Sequence, residues 1–307
     1  MYFLPMEFRD AHHINRLVEI EPFLKAGKVL ILYGARQVGK TTLIKDFLAK
    51  STLRSVYRSG DDLPFATAFS TCDLHTIGGM IQGIELLVID EAQKIEQVGR
   101  ALKLVVDHFP SVAVIATGSS FFDLANSAEE ALTGRKTVLT LYPLAFHEIT
   151  MDATPFDAKR NLDDLLIYGS YPEVVALGSH QAKEDRIAEI TGSYLIKDIL
   201  EFQLLKRSRV IMDLLRLLAF QIGQQVSTVE LGRQLGMDNK TVQRYLDLLE
   251  KSFVLISLHG FSRNLRKEVT KMNKYYFVDT GVRNALIANF NPIRMRDDAG
   301  ALWENFM

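Results

Sequence analysis

Eight consecutive residues, Gly34-Ala35-Arg36-Gln37-Val38-Gly39-Lys40-Thr41, have the spacing G-x-x-x-x-G-K-[ST]. Glycines at these positions let the backbone curl until successive N–H groups point inward at phosphate oxygens, and the helical run that follows adds its positive end. The cradle then comprises Gly34, Ala35, Arg36, Gln37, Val38, Gly39, Lys40, Thr41 and Thr42. Within it Lys40 reaches the β- and γ-phosphates of a nucleotide, Thr41 offers its hydroxyl to Mg2+, and Arg36 is a solvent-facing or packing residue rather than a phosphate ligand. A second pattern, Glu85-Leu86-Leu87-Val88-Ile89-Asp90-Glu91, is an apolar run ending in adjacent carboxylates. An apolar strand delivers Asp90 to the carboxyl edge of a sheet, where open α/β sheets bind ligands, and there it binds Mg2+ through water. Glu91 is placed to polarise an attacking water, which marks a hydrolase rather than a kinase.

Two further positions could complete such a site. In Thr117-Gly118-Ser119-Ser120, Ser119 is the candidate to contact the attacking water or the γ-phosphate, and Ser119 or Ser120 equally suits the N-cap of the helical run Phe121 to Leu132. Arg135 precedes a strand-like run. In ring-forming or dimerising ATPases the arginine that completes a neighbour's site stands at this point of the chain order; the alternative is a solvated arginine at a strand start.

These residues need a parallel sheet to hold them. Val29 to Tyr33, Ser55 to Tyr57, Glu85 to Ile89, Val112 to Ala116 and Thr137 to Leu141 read as five short strands separated by amphipathic stretches, the pattern of an α/β P-loop NTPase core. From about Asn161 the pattern turns helical, with a Gly169-Ser170-Tyr171-Pro172 break. The reading divides the chain into a core at 1–150, a small helical lid at 151–205, a winged helix-turn-helix unit at 206–290 and the start of a truncated or absent segment at 291–307.

The winged-helix reading rests on Ser227-Thr228-Val229-Glu230, which has capping-box spacing, a helix ended by Gly236, and a second helix from Asn239 to about Lys251 capped by Asp238. Val242, Leu246 and Leu249 form the buried stripe of that second helix, and Lys240, Gln243, Arg244 and Asp247 face away, Asp247 being placed to pair with Arg244. Two strands, Val254 to Leu258 and Lys274 to Val278, flank a basic segment carrying Arg263, Arg266, Lys267 and Lys271, with Lys274 counted in the same wing. Between Lys206 and Lys274 stand 13 Lys/Arg and 6 Asp/Glu, a net charge of +7 that leaves −8 on the rest of the chain. Such a surface suits duplex DNA, the second helix entering the major groove and the wing touching phosphates. Winged helices also serve as protein-packing modules.

Composition excludes other classes. With 307 residues, 48% hydrophobic and 24% charged, the chain has the balance of a folded protein of two or three units. The single cysteine, Cys72, forbids an intramolecular disulfide, and no run approaches the ~20 apolar residues of a membrane span, so a soluble cytoplasmic protein is expected. His12 and His13 lack neighbouring ligand types for a metal; Phe146 and Phe156 have the spacing of packing residues.

Taken together, the motifs resemble the prokaryotic AAA-type ATPases that carry a C-terminal domain of unknown function. Besides the loop, the resemblance is carried by Val88-Ile89-Asp90-Glu91-Ala92-Gln93-Lys94, Thr117 to Ser120, Leu132-Thr133-Gly134-Arg135, Leu141 to Glu148, Gly169 to Val174 and Lys274 to Gly281, in family order over nearly the whole chain. It implies ATP as nucleotide and Mg2+ as cofactor, the roles above for Lys40, Thr41, Asp90 and Glu91, and added weight for Arg135, through which a homo-oligomer would form. Members usually run on past the Leu302-Trp303-Glu304-Asn305-Phe306 motif into a nuclease-like segment; Glu304 here has no companion carboxylates, so no nuclease activity is expected. The expected function is an Mg2+-dependent ATPase coupled to a DNA-binding winged helix. The second reading is a nucleotide-regulated switch that docks a protein partner.

Overall fold

The protein is described by a computed structural model, over residues 14–118, 132–151, 154–195, 208–260 and 273–307. The apolar runs form five strands: β1 (Val29–Tyr33), β2 (Ser55–Ser59), β3 (Leu86–Asp90), β4 (Ala113–Gly118) and β5 (Lys136–Thr140). All pair in parallel, in the order β2-β3-β4-β1-β5. Every residue of β1, β3 and β4 is buried, whereas β2 and β5, at the edges, keep exposed positions. That difference follows from position, because a central parallel strand is covered on both faces and must be apolar throughout.

Alternate side chains feed two cores. Val29, Ile31, Leu87, Ile89 and Val114 join α2 (Leu63–Ser70), α3 (Leu74–Met80) and α4 (Val98–His108) on one face. Leu30, Leu32, Leu86, Val88 and Ile115 join α1 (Lys40–Lys50) on the other, in a cluster that runs on into the C-terminal half. The insertion of β4 between β1 and β3 sets the site, since it separates the loop after β1 from the acidic end of β3 by one strand and puts Thr117 in the gap.

After α5 (Phe146–Thr150) the chain is mainly helical: α6 (Pro155–Tyr168), α7 (Pro172–Val175), α8 (His180–Glu189), a π-helical stretch Ile190–Leu195, and α9 (Ser208–Phe220). Then come β6 (Gln225–Val226), α10 (Thr228–Leu235), α11 (Asn239–Lys251), β7 (Leu255–Leu258) and β8 (Asn273–Phe277), the strands forming an antiparallel sheet in the order β6-β8-β7. The expected caps are present. Ser227 accepts the Glu230 N–H, Asp238 accepts the Thr241 N–H, and Gly236 closes α10 in the left-handed region. The short strand β6 was not anticipated, because two residues carry no periodicity.

The boundary expected between residues 205 and 206 is crossed by α12 (Thr280–Leu286), which leaves β8 and returns to the helical region. The Thr280 hydroxyl donates to the Leu165 carbonyl at 2.7 Å, and Asn284 Nδ2 donates to those of Leu166 at 2.9 Å and Ile167 at 2.8 Å, so the end of α6 is capped by side chains of α12. Gly281 permits this approach, since a Cβ there would lie 2.0 Å from the Tyr168 carbonyl oxygen. The buried Asp279 caps α12 and accepts the Ser170 N–H at 2.7 Å. The last helix, α13 (Ala299–Phe306), docks on β8: Asn305 exchanges two hydrogen bonds with the Phe277 backbone, and Glu304 accepts from Lys274 and Tyr276. Phe146 meets Phe306 edge-on at 6.5 Å, as a packing residue should, whereas Phe156 is 78% exposed, contrary to expectation. His12, His13 and the run Phe121 to Ala131 lie outside the described residues. Among the described residues no helix is long and apolar enough to cross a membrane.

Candidate nucleotide-binding site

The loop between β1 and α1 carries the predicted cradle. Gly39 stands at the N-cap of α1 with φ +93°, a left-handed conformation in which a side chain would be strained. It turns the backbone so that α1 begins at Lys40, with its N-terminal N–H groups directed to the carboxyl edge of the sheet. Lys40 is buried, and its Nζ donates to the carbonyls of Gly34 and Ala35, each at 2.8 Å. The ammonium therefore lies across the curled loop, where it is within reach of an incoming phosphate. Ala35 and Val38 are buried against the core, Arg36 and Gln37 are half-buried, and Thr42 is exposed.

The carboxylate of Asp90 is the hub of the site. Thr41 Oγ1 donates to its Oδ2 at 2.7 Å, Tyr57 OH donates to the same oxygen at 2.6 Å, and Thr117 Oγ1 donates to Oδ1 at 2.5 Å. Burial alone would raise the Asp90 carboxyl, but the bonds from Thr117, Tyr57 and Thr41, with the nearby Lys40 charge, outweigh it and hold the group below the usual carboxylate range. Burial and the Asp90 carboxylate push the Tyr57 phenol above its ordinary value, so it remains a donor.

Glu91 follows in the left-handed region at φ +52°, a costly conformation for a residue with a Cβ. Three contacts maintain it. The Glu91 N–H donates to Thr117 Oγ1 at 2.9 Å, Gln93 Nε2 donates to Glu91 Oε2 at 2.7 Å, and the Gly60 N–H donates to the Asp90 carbonyl at 2.7 Å. The Glu91 carboxylate accepts from Gln93, whereas that of Asp90 accepts from Thr41, Tyr57 and Thr117, so the two neighbouring acids have different partners.

A further contact ties the loop to the rest of the core. Arg16 donates to the Val38 carbonyl at 2.5 Å, to that of Tyr142 at 2.8 Å and to Glu148 Oε2 at 2.8 Å, while the Leu17 and Ala145 N–H groups satisfy the same carboxylate at 2.9 Å each. Arg16, Tyr57, Gln93 and Thr117 were not singled out as site residues in the sequence. Thr117 had a signal, as the polar residue that ends an apolar strand; the others are single polar residues with no local pattern. Ser119 lies outside the described residues, and Thr117 holds the position between Asp90 and Glu91.

Mg2+ fits the donor set. Thr41 and Asp90 present adjacent hard oxygens, and among the described residues no group of three His, Cys, Asp or Glu forms an all-protein cage. That is what a cation needs when it keeps most of its waters and shares a phosphate.

Arg135 is not part of its own chain's site. It precedes β5, whose Lys136 pairs with Val29 at the start of β1, so it stands at the amino edge of the sheet, roughly 16 Å of strand away from the carboxyl edge. There it pairs with Asp107 at 2.5 Å. In the C-terminal half, Lys240, Gln243 and Arg244 are exposed on α11 as expected. Asp247 pairs with Lys251 at 3.2 Å rather than with Arg244, because i to i+4 brings those two side chains over one another, and Arg244 lies over the Tyr245 ring. Lys274 is engaged by Glu304 at 2.8 Å. Arg263, Arg266, Lys267 and Lys271 lie outside the described residues.

The geometry agrees with comparison to known proteins. Residues 26–150 match the AAA domain family model. The α/β region is thus similar to AAA-type domains, and residues 159–293 match a model described as a domain of unknown function (DUF8612). An uncharacterized protein of Mycobacterium tuberculosis is 28% identical over 291 residues, covering 92% of this chain and 62% of its own. One of Haemophilus influenzae is 25% identical over 293 residues, covering 89% and 72%. The chain thus spans less than two thirds of the mycobacterial relative. A solved structure, a signal-transduction ATPase (STAND) protein with a tetratricopeptide repeat sensor from Pyrococcus horikoshii, is similar at TM-score 0.39 and 14% identity, over 99% of this chain and 46% of that one.

Proposed function

We propose that the protein is an Mg2+-dependent ATPase whose AAA-type core is coupled to a C-terminal winged-helix unit that binds duplex DNA. The observation that supports the hydrolytic reading is the Thr41–Asp90 hydrogen bond, with Thr117 on β4 donating to the same carboxylate and accepting the Glu91 N–H. Lys40, released from the Gly34 and Ala35 carbonyls, neutralises the β- and γ-phosphates. Thr41 and Asp90 hold Mg2+, which supplies charge stabilisation to the phosphates. Glu91 accepts a proton from water as the water oxygen bonds to the γ-phosphorus. The bond to the β–γ bridging oxygen breaks, ADP leaves with its electron pair, and inorganic phosphate is released.

The DNA-binding half of the reading is supported by the order strand, helix, helix, strand, strand from β6 to β8, by the exposed Lys240, Gln243 and Arg244 on the second helix, and by the +7 charge of residues 206–274. A second reading, docking of a protein partner, is favoured by the exposure of Val229, Ile256 and Leu258 on the same unit.

ATP hydrolysis measured with and without random-sequence duplex DNA, at low and moderate salt, separates the two. Stimulation that fades with salt is expected for phosphate contacts. Turnover indifferent to DNA moves the assignment to protein docking, and turnover undiminished in Glu91→Gln overturns the hydrolytic site.

A further inference from the structure

The Asp90 carboxylate is held from both neighbouring strands. Thr117 on β4 donates to Oδ1, and Tyr57 on β2 donates to Oδ2, the oxygen that also receives the Thr41 hydroxyl. A carboxylate turns easily about its last side-chain bond, a torsion with a broad and shallow profile. One donor from each flanking strand, on different oxygens, removes that freedom and keeps Oδ2 directed at Thr41. Tyr57 is well placed to act in this way, because its half-buried ring packs against the core and its register, opposite Val88, brings the hydroxyl to the end of β3.

We propose that Tyr57 is a positioning residue for the metal, fixing the Asp90 carboxylate in the orientation that receives Mg2+ with the Thr41 hydroxyl. This rests on the nucleotide-binding reading above. Tyr57 touches neither phosphate nor water in the reaction. It acts through Asp90, as partners behind metal ligands generally do, and such partners change metal affinity by about 10- to 100-fold when removed. Nucleotide binding without metal depends instead on the loop N–H groups and Lys40, so the phenol should not affect it.

The test is a titration of Mg2+ into wild-type protein and Tyr57→Phe, each with a fluorescent N-methylanthraniloyl derivative of ATP, starting from EDTA. Phenylalanine keeps the ring and its packing. The expected result is unchanged nucleotide affinity in EDTA, an unchanged melting midpoint, and an Mg2+ half-point raised about tenfold. Equal Mg2+ half-points in the two proteins would overturn the proposal. So would a loss of metal-free affinity together with a lowered melting midpoint, which would make Tyr57 a packing residue. Absence of nucleotide binding by the wild-type protein would remove the nucleotide-binding reading itself, and this proposal with it.

Discussion

Replacing Arg16 with methionine keeps the apolar stem of the side chain and removes the guanidinium. The side chains of Arg16 and Glu148 are only 7% and 4% exposed, and they meet at 2.8 Å. In the variant Glu148 keeps the Leu17 and Ala145 N–H groups, but it loses its counter-charge in a place that water does not reach, and the Val38 and Tyr142 carbonyls lose their donor. Removing one partner of a buried pair costs about 3–5 kcal/mol, because the remaining charge is left uncompensated. For a chain of this size that corresponds to a fall in melting midpoint of about 5–8 °C. The effect should extend to nucleotide binding, since the Val38 carbonyl belongs to the cradle. Thermal unfolding followed by circular dichroism gives the first quantity and nucleotide titration the second. Adding Glu148→Gln removes the stranded charge and should recover part of the loss, so a double-mutant cycle isolates the pair. A single variant within about 1 kcal/mol of wild type, or a second substitution that only adds to the damage, would refute the reasoning.

Two further outcomes are expected. The bonds from Arg296, followed by those from Arg283, hold the Asp298 carboxyl down at about 2 against an ordinary 3.8, despite its partial burial. Its folded value is depressed, so its contribution, about 2 kcal/mol, is present above pH 4 and lost as pH falls towards 2; the stability difference between wild type and Asp298→Asn should close over that window, and a constant difference would contradict the assignment. If Arg135 serves a neighbouring subunit, Arg135→Ala and Glu91→Gln should each be nearly inactive alone and regain ATPase activity when mixed, because one supplies an intact site and the other an intact arginine. No recovery on mixing would leave Arg135 as the partner of Asp107 and nothing more.

Much of the core was legible because its signals are local. A strand buried on both faces must be apolar along its whole length, so β1, β3 and β4 stood out. A phosphate cradle needs glycine at fixed spacing followed by a helix, so Lys40 and Thr41 stood out as candidates, and a strand ending in Asp90-Glu91 pointed to the same edge. Side-chain capping is also local, which is why Ser227 and Asp238 marked the starts of α10 and α11.

What the sequence could not say concerns residues brought together by strand order and packing. Tyr57 and Thr117 reach Asp90 only because β2 and β4 flank β3, and no spacing along the chain encodes that arrangement. Arg16 reaches Glu148 across 132 positions. The same tertiary facts removed Arg135 from its own site, since a parallel strand begins at the edge opposite to the one where the loop lies. They also joined the two C-terminal regions, through the buried bonds of Thr280 and Asn284 to the end of α6. By itself the sequence determined most of the elements and which chemistry one loop is a candidate for, because those depend on neighbours within a few residues. The geometry of Asp90, on which the proposed metal site rests, was decided by the tertiary structure, because the donors that orient this carboxylate approach it from other elements.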